Sequence, residues 1–133
     1  MSESVKFNPE ALPRPTGYTH GILAQGGRLL FVAGQIGCGS DGVVVPGGLV
    51  AQFDKAVENI LTVVRAAGGA PHSITRMTIY TSDMAGYRSS LSELGAVWRP
   101  RMGKHYPVMA VLEVKSLFDP GAIVEIEATA VLA

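Results

Sequence analysis

Cysteine is nearly absent from this chain, because Cys38 is its single thiol among 133 residues. One cysteine excludes an intramolecular disulfide and fits a reducing compartment. The first residues lack the apolar core of a signal peptide, and no apolar run is long enough to span a bilayer. The sequence therefore predicts a cytoplasmic protein with no membrane partner.

Charge is also scarce. Charged residues make up 17% of the chain, and eleven basic residues balance eleven acidic ones. A nucleic-acid binder needs a basic stripe, whereas only Arg99, Arg101 and Lys104 lie close together here, so no nucleic-acid partner is expected. Apolar residues are abundant at 47%, which predicts a surface buried between copies of the chain.

The chain is long enough for one domain. Residues 1–16 carry three prolines and no apolar period, so we interpret them as an extended lead-in to a single α+β domain over 17–133. Two strands, over 18–25 and 28–34, are joined by Gly26-Gly27, which indicates a tight hairpin turn. The second strand is continuously apolar and is expected to be covered on both faces.

Helical spacing appears twice. One helix is predicted over 49–67, ended by Gly68-Gly69. A second is predicted from the N-cap residue Asp83 to about Trp98, stopped by Pro100, with a strand over 73–82 between the two helices. The apolar stripe of the first helix recurs every three or four positions. It comprises Leu49, Phe53, Val57, Ile60, Leu61 and Val64.

The last quarter of the chain predicts two further strands around the turn Asp119-Pro120-Gly121. Strand alternation puts Val124 and Ile126 on one face of the last strand, and Glu125 and Glu127 on the other. The element order implies a mixed sheet with both helices on one face. The other face is expected to pack against copies of the chain.

Motifs spread over nearly the whole chain resemble the Rid family, the reactive intermediate deaminase or YjgF-type proteins. Each motif alone is weak, but their order and spacing together are specific. The matching segments are Gly17-Tyr18-Thr19-His20-Gly21, Ala33-Gly34-Gln35-Ile36, Gln52, Asn59-Ile60, Ala66-Ala67-Gly68, Thr78-Ile79-Tyr80, Asp83-Met84 and Val124-Glu125-Ile126-Glu127-Ala128.

The resemblance implies a chorismate-mutase-like α+β subunit in a homotrimer, with sites in clefts between subunits. Such proteins hydrolyse imines and enamines derived from amino acids, and they need no cofactor or metal. It also implies catalytic roles for Tyr18, which orients the substrate or water, and Glu125, which positions water. From the residues alone, the alternative for Tyr18 is an aromatic ring packed at a strand start. The alternative for Glu125 is a solvated strand face. His20 lies two residues after Tyr18, and it either joins the same cleft or is a structural histidine.

The chain departs from the family where an arginine in a Pro-X-Arg motif binds the substrate carboxylate. Met109 stands there, and a thioether carries neither charge nor two hydrogen-bond donors. Two residues further, Val111 replaces a frequent cysteine, and Leu91 stands roughly where some members have asparagine. The cleft is therefore expected to be present but less polar.

Other residues complete the predicted site. Arg101, Lys104 and His105 are the candidate replacements for the missing cation, with an ordinary solvated loop as the alternative. Gly34 could present its backbone to the cleft, or simply occupy a strand-end turn.

Two functions follow from these residues. One is a cofactor-free hydrolase of an imine or enamine other than the usual small 2-imino acids. The other is a non-catalytic homotrimer that binds a small ligand or a protein in the same cleft. Ribonuclease activity, suggested by older family names, is disfavoured by the zero net charge.

Overall fold

Six strands organise the structure, a computed structural model that describes residues 4–133. In chain order they are β1 (Ser4–Phe7), β2 (Gly21–Ala24), β3 (Arg28–Ile36), β4 (Ile74–Thr81), β5 (Val108–Glu113) and β6 (Val124–Leu132). β1 and β2 pair with each other, and the other four form a sheet in the order β3-β6-β4-β5. β4 and β5 run parallel and the other neighbours antiparallel, which confirms the predicted mixed sheet.

Three α-helices accompany the sheet: α1 (Gly48–Ala66), α2 (Met84–Ser89) and α3 (Leu91–Met102). A short 3-10 turn, Pro71–Ser73, precedes β4. α1 packs across β3 and β6, and α3 packs beside α1. The stripe predicted for α1 is confirmed at five of its positions, because Phe53, Val57, Ile60, Leu61 and Val64 are all buried, while Leu49 is half-buried.

The second predicted helix is divided in two at Ser90. Its start is confirmed, since the Gly86 N–H donates to Asp83 Oδ1 at 2.9 Å. The prediction that Pro100 ends it is wrong, because Pro100 lies inside the last turn of α3 and the helix continues to Met102. A proline this close to a helix end removes one hydrogen bond from a turn that is easily frayed, so the helix tolerates it.

β6 is a central strand, and its alternation follows the prediction. Val124, Ile126 and Ala128 are buried beneath the helices, whereas Glu125 is half-buried and Glu127 exposed on the other face. In the neighbouring β4, a register shift between residues 74 and 76 turns the strand locally.

The glycine pair Gly26-Gly27 does not form the predicted hairpin. β2 pairs with β1 instead, and β3 pairs with β6, so the two glycines connect two different sheets. β1 lies within the predicted lead-in, whose residues 1–3 lie outside the described part of the chain. The N–H of Gly27 donates to the Leu132 carbonyl at 3.2 Å, which ties this connection to the end of β6.

The prediction that β3 is covered on both faces is wrong within one chain. Val32 is buried against the helices, but Leu29 and Phe31 on the opposite face are 64% and 74% exposed. The apolar run therefore leaves large side chains on the helix-free face of the sheet. Within residues 4–133, no helix combines the length and hydrophobicity needed to cross a bilayer.

Candidate functional site

A cleft of about 580 Å3 lies among α2, α3, β5 and the segment that precedes β2. It brings together Tyr18, Met109 and Val111, three of the residues singled out from the sequence, and Leu91 also lines it. Tyr18 and Met109 are shared with a smaller, more polar cleft of about 270 Å3, which His20 and Arg76 also line.

Thr19 holds Tyr18 at the edge of both clefts. The Thr19 N–H donates to the Pro107 carbonyl at 3.2 Å, and its hydroxyl donates to the Tyr106 carbonyl at 2.5 Å. The ring of His20 meets that of Tyr18 edge to face, with centroids 5.1 Å apart. The segment before β2 is thereby attached to the segment that leads into β5, although the two lie far apart in the chain.

Aromatic rings form much of the cleft wall. Trp98 and Tyr106 stack with centroids 5.9 Å apart and an interplanar angle of 4°, and Phe53 lies 6.2 Å from the Tyr87 ring. Burial raises the pKa of Tyr87 to about 12, so its hydroxyl stays protonated at neutral pH. The sequence did not single out Tyr87 and Trp98 as site residues, because helical spacing does not show that an apolar helix face also borders a cleft.

The cations proposed from the sequence do not line this cleft. Arg101 Nε donates to Asp54 Oδ1 at 2.6 Å, a hydrogen bond that raises the arginine pKa, and Arg101 also pairs with Glu58. His105 Nε2 donates to the Ile74 carbonyl at 2.7 Å, and burial lowers its pKa. Lys104 is exposed and lines neither cleft.

Arg99 lines the larger cleft instead. The sequence showed it only as part of a basic cluster with Arg101. Two residues along a helix are separated by about 200° around its axis, so the two side chains leave α3 in nearly opposite directions. Only the packing of α3 against α1 decides which of the two arginine side chains points toward the cleft.

Gly34 and Glu125 meet on the helix-free face of the sheet. A methyl group at Gly34 would overlap a carboxylate oxygen of Glu125 and would lie only 3.0 Å from the carboxylate carbon. The pairing of β3 with β6 shifts register between Val32 and Gln35, which marks a bulge at this point. Gly34 thus provides the space in which the carboxylate lies.

Two side-chain amides of α1, those of buried Gln52 and half-buried Asn59, hold the strand ends around this carboxylate. Gln52 accepts from the Ile123 N–H at 2.8 Å and donates to the Gly121 carbonyl at 3.3 Å, which anchors the segment entering β6. Asn59 donates to the carbonyls of Ile36 and Cys38 at 3.1 and 2.9 Å, which anchors the end of β3. Both belong to the motifs found in the sequence, and their role is to position backbone.

Met109 and Glu125 point to opposite faces of the sheet. Met109 lies beside buried Met77 of β4, on the helix face, whereas Glu125 lies beside Tyr80, on the other face. Within one chain, the carboxylate therefore does not line the cleft that holds Tyr18 and Met109.

Glu127 shares the face of Glu125 but has a partner of its own. The Tyr80 hydroxyl donates to Glu127 Oε1 at 2.5 Å, and this hydrogen bond raises the tyrosine pKa. Within residues 4–133, no three His, Cys, Asp or Glu side chains converge as a metal site would require.

Comparison with known proteins shows similarity along nearly the entire chain. Residues 9–132 match the family model described as Endoribonuclease L-PSP. A RutC family protein of Pyrococcus horikoshii is 32% identical over 123 residues, which cover 91% of this chain and 92% of that protein. A 2-iminobutanoate/2-iminopropanoate deaminase of Capra hircus is 30% identical, covering 86% of this chain and 79% of the deaminase.

Solved structures show the same similarity. A Yersinia pestis protein of unknown function, YyfB of the conserved Rid family, superposes with a TM-score of 0.87 at 28% identity, covering 97% of this chain and 98% of that one. TdcF of E. coli with bound serine superposes with a TM-score of 0.70 at 27% identity, covering 80% and 83% of the two chains.

Proposed function

The chain belongs to the Rid (YjgF/RutC, Endoribonuclease L-PSP) family, and from this premise we propose that it is a cofactor-free hydrolase of imines or enamines. The reaction adds water across a C=N bond and releases a carbonyl compound and ammonia. The relative from Capra hircus carries the name of such a deaminase. The observation that carries the proposal is that Tyr18 borders the cleft while Glu125 occupies a rigid place on the central strand.

Imine hydrolysis needs a base, an acid and a fixed water. In the proposed reaction, Glu125 accepts a proton from water as the water oxygen bonds to the imine carbon, giving a tetrahedral carbinolamine. Glu125 returns this proton to the nitrogen, and it then transfers the hydroxyl proton to the nitrogen as well. The carbonyl forms as the C–N bond breaks, ammonia leaves, and the carboxylate is regenerated. Tyr18 orients the water or the substrate through its hydroxyl.

A homotrimer unites these groups in the proposal. Met109 and Glu125 lie on opposite faces of one sheet, so the carboxylate of one copy has to reach the cleft of another. Leu29 and Phe31 support such contacts, because their exposure on the face that carries Glu125 leaves apolar surface for a neighbouring copy to cover. The small-molecule substrate then lies between subunits.

The test is ammonia release from two imines generated in situ by an amino-acid oxidase. The small substrate is 2-iminopropanoate, and the large one is 2-imino-3-phenylpropanoate. We expect the protein to accelerate hydrolysis of the large imine above the uncatalysed rate, and sedimentation to show a trimer. A trimer that accelerates neither reaction contradicts the proposal.

The second candidate is a non-catalytic trimer that binds a small ligand or a protein in the same cleft. The observation that favours it is the uncharged side chain of Met109 in a largely apolar cleft. The ammonia-release assay separates the two candidates, since a binding protein has no turnover to lose. Such a protein also retains its ligand affinity in the Glu125→Gln variant.

Met109→Arg is expected to increase hydrolysis of 2-iminopropanoate by about tenfold or more. Met109 is half-buried where both clefts meet, so a longer, charged side chain at this position can extend into the open space. A charge-assisted hydrogen bond to a carboxylate contributes roughly 1.5–3 kcal/mol. Initial rates of ammonia release measure the effect, with Met109→Leu as the uncharged control. Equal rates for the two variants would show that restoring an arginine at this position is not sufficient to increase hydrolysis of the small imine.

Gly34→Ala is expected to lower the hydrolysis rate by about tenfold while changing the free energy of unfolding by less than about 1 kcal/mol. The new methyl group displaces the end of a flexible carboxylate side chain, not backbone, so the fold accommodates it. Gly27→Ala is the matched control, because a methyl group there meets nothing within 4 Å. Unchanged kinetics in Gly34→Ala would mean that the carboxylate position does not matter.

A further inference from the structure

Arg99 is the one charged side chain among the residues from 4 to 133 that line the larger cleft. We propose that this cleft takes a 2-imino acid with an aromatic side chain, whose carboxylate binds Arg99 and whose ring packs against Trp98 and Tyr106. The proposal rests on the hydrolase function above and specifies its substrate class. It also moves the anion-binding group from the strand position of Met109 to α3.

The guanidinium of Arg99 is available for a ligand. Within the part of the chain that the structure describes, no carboxylate forms an ion pair with it, whereas Arg101 is held by Asp54 and Glu58. A methyl group at Gly95, one turn earlier in α3, would lie 3.6 Å from Arg99 Nη1. The guanidinium therefore lies back along the helix over Gly95, which itself lines the cleft.

The remaining wall of the cleft favours a large apolar group. Most of it consists of aromatic and aliphatic side chains, among them Phe53, Tyr87, Leu91, Leu94, Trp98 and Tyr106. A volume of about 580 Å3 lies within the range of pockets that enclose drug-sized ligands. A three-carbon imino acid would leave most of this wall in contact with water, whereas an added phenyl ring would cover more of it.

The geometry also suits a carboxylate in particular. An arginine presents two parallel N–H groups that match the two oxygens of a carboxylate. Tyr18 lines the same cleft as Arg99, so both side chains border the space that the ligand would occupy. An apolar wall with one planar cation thus selects a ligand with one ring and one carboxylate.

Binding can be measured without turnover, because Trp98 is the single tryptophan of the chain and lines the cleft. We would titrate the protein with 3-phenylpropanoate and with the uncharged 3-phenylpropanamide, and follow tryptophan fluorescence. Wild type is expected to bind the acid about tenfold more tightly than the amide. Arg99→Gln is expected to lose this preference and to bind the amide as wild type does.

Three variants sharpen the experiment. Arg65→Gln removes an exposed arginine far along α1 that does not line the cleft, and it should bind both compounds as wild type does. Arg101→Gln tests the rival cation and should keep the preference for the acid. Arg99→Lys keeps the charge but lacks the planar guanidinium with its two parallel N–H groups. It should therefore show a preference for the acid between those of wild type and Arg99→Gln.

The ligand class and the reaction fail separately. If Arg99→Gln binds the acid as tightly as wild type, or if wild type does not distinguish acid from amide, the assignment of Arg99 is wrong whatever the turnover. If the preference depends on Arg99 but no imine is hydrolysed, the ligand assignment stands and the proposed reaction is wrong.

Discussion

Glu125→Gln is expected to reduce the rate of imine hydrolysis by about a hundredfold or more, which is the usual contribution of a positioned general base. The amide keeps the shape of the side chain and fits the space that Gly34 leaves. It cannot accept a proton from water at neutral pH. The measurement is kcat for the aromatic imine, because loss of a group that acts in the transition state lowers kcat and not only the affinity.

Glu127→Gln is the matched control on the same face of the same strand. Its amide oxygen can still accept the hydrogen bond from the Tyr80 hydroxyl, so the strand surface is preserved. We expect a rate within about threefold of wild type, as for a residue outside the reaction. Equal losses in both variants would indicate that general negative charge on β6, and not a base at Glu125, supports the reaction.

Gly37→Ala is expected to destabilise the fold by about 3 kcal/mol or more, because overpacking against immovable atoms is costly. A methyl group at Gly37 would lie 2.5 Å from the Cα of Gln52 and 2.8 Å from its carbonyl carbon. These are backbone atoms of α1, so relief requires the helix to move away from β3. The same movement would withdraw Gln52 from Ile123 and Gly121, and so loosen the segment entering β6.

The free energy of unfolding in urea, measured at a fixed protein concentration, tests this effect. Gly27→Ala again serves as the control, since its added methyl group lies in open space. We expect the control to unfold at nearly the wild-type urea concentration. A Gly37→Ala variant as stable as this control would show that α1 does not pack as closely against β3 as the structure indicates.

Local patterns in the sequence predicted those elements whose residues depend mainly on their own neighbours. The apolar period of α1, the cap at Asp83 and the alternation along β6 all appear in the structure. Each follows from helical or strand geometry over a few residues. The element order extended this to a mixed sheet, and the family motifs singled out Tyr18, Gly34 and Glu125 as candidate site residues.

Pairing partners were harder to predict. Gly26-Gly27 has the composition of a hairpin turn, yet the strands on its two sides do not pair with each other. β2 pairs with β1, and β3 pairs with the last strand of the chain. The exposure of Phe31 likewise depends on which surfaces one chain supplies to cover it. A local turn signal cannot weigh these long-range contacts against each other.

The sequence by itself determined most of the elements, the family and the residue types available to a site, because periodicity and motifs are properties of short segments. Tertiary structure alone decided where those residues meet. The order β3-β6-β4-β5 places Met109 and Glu125 on opposite faces, since side chains alternate along each strand and the register between strands sets which ones align. The packing of α3 on α1 turns Arg101 toward Asp54 and leaves Arg99 at the cleft, a choice that two neighbouring arginines in a sequence do not reveal.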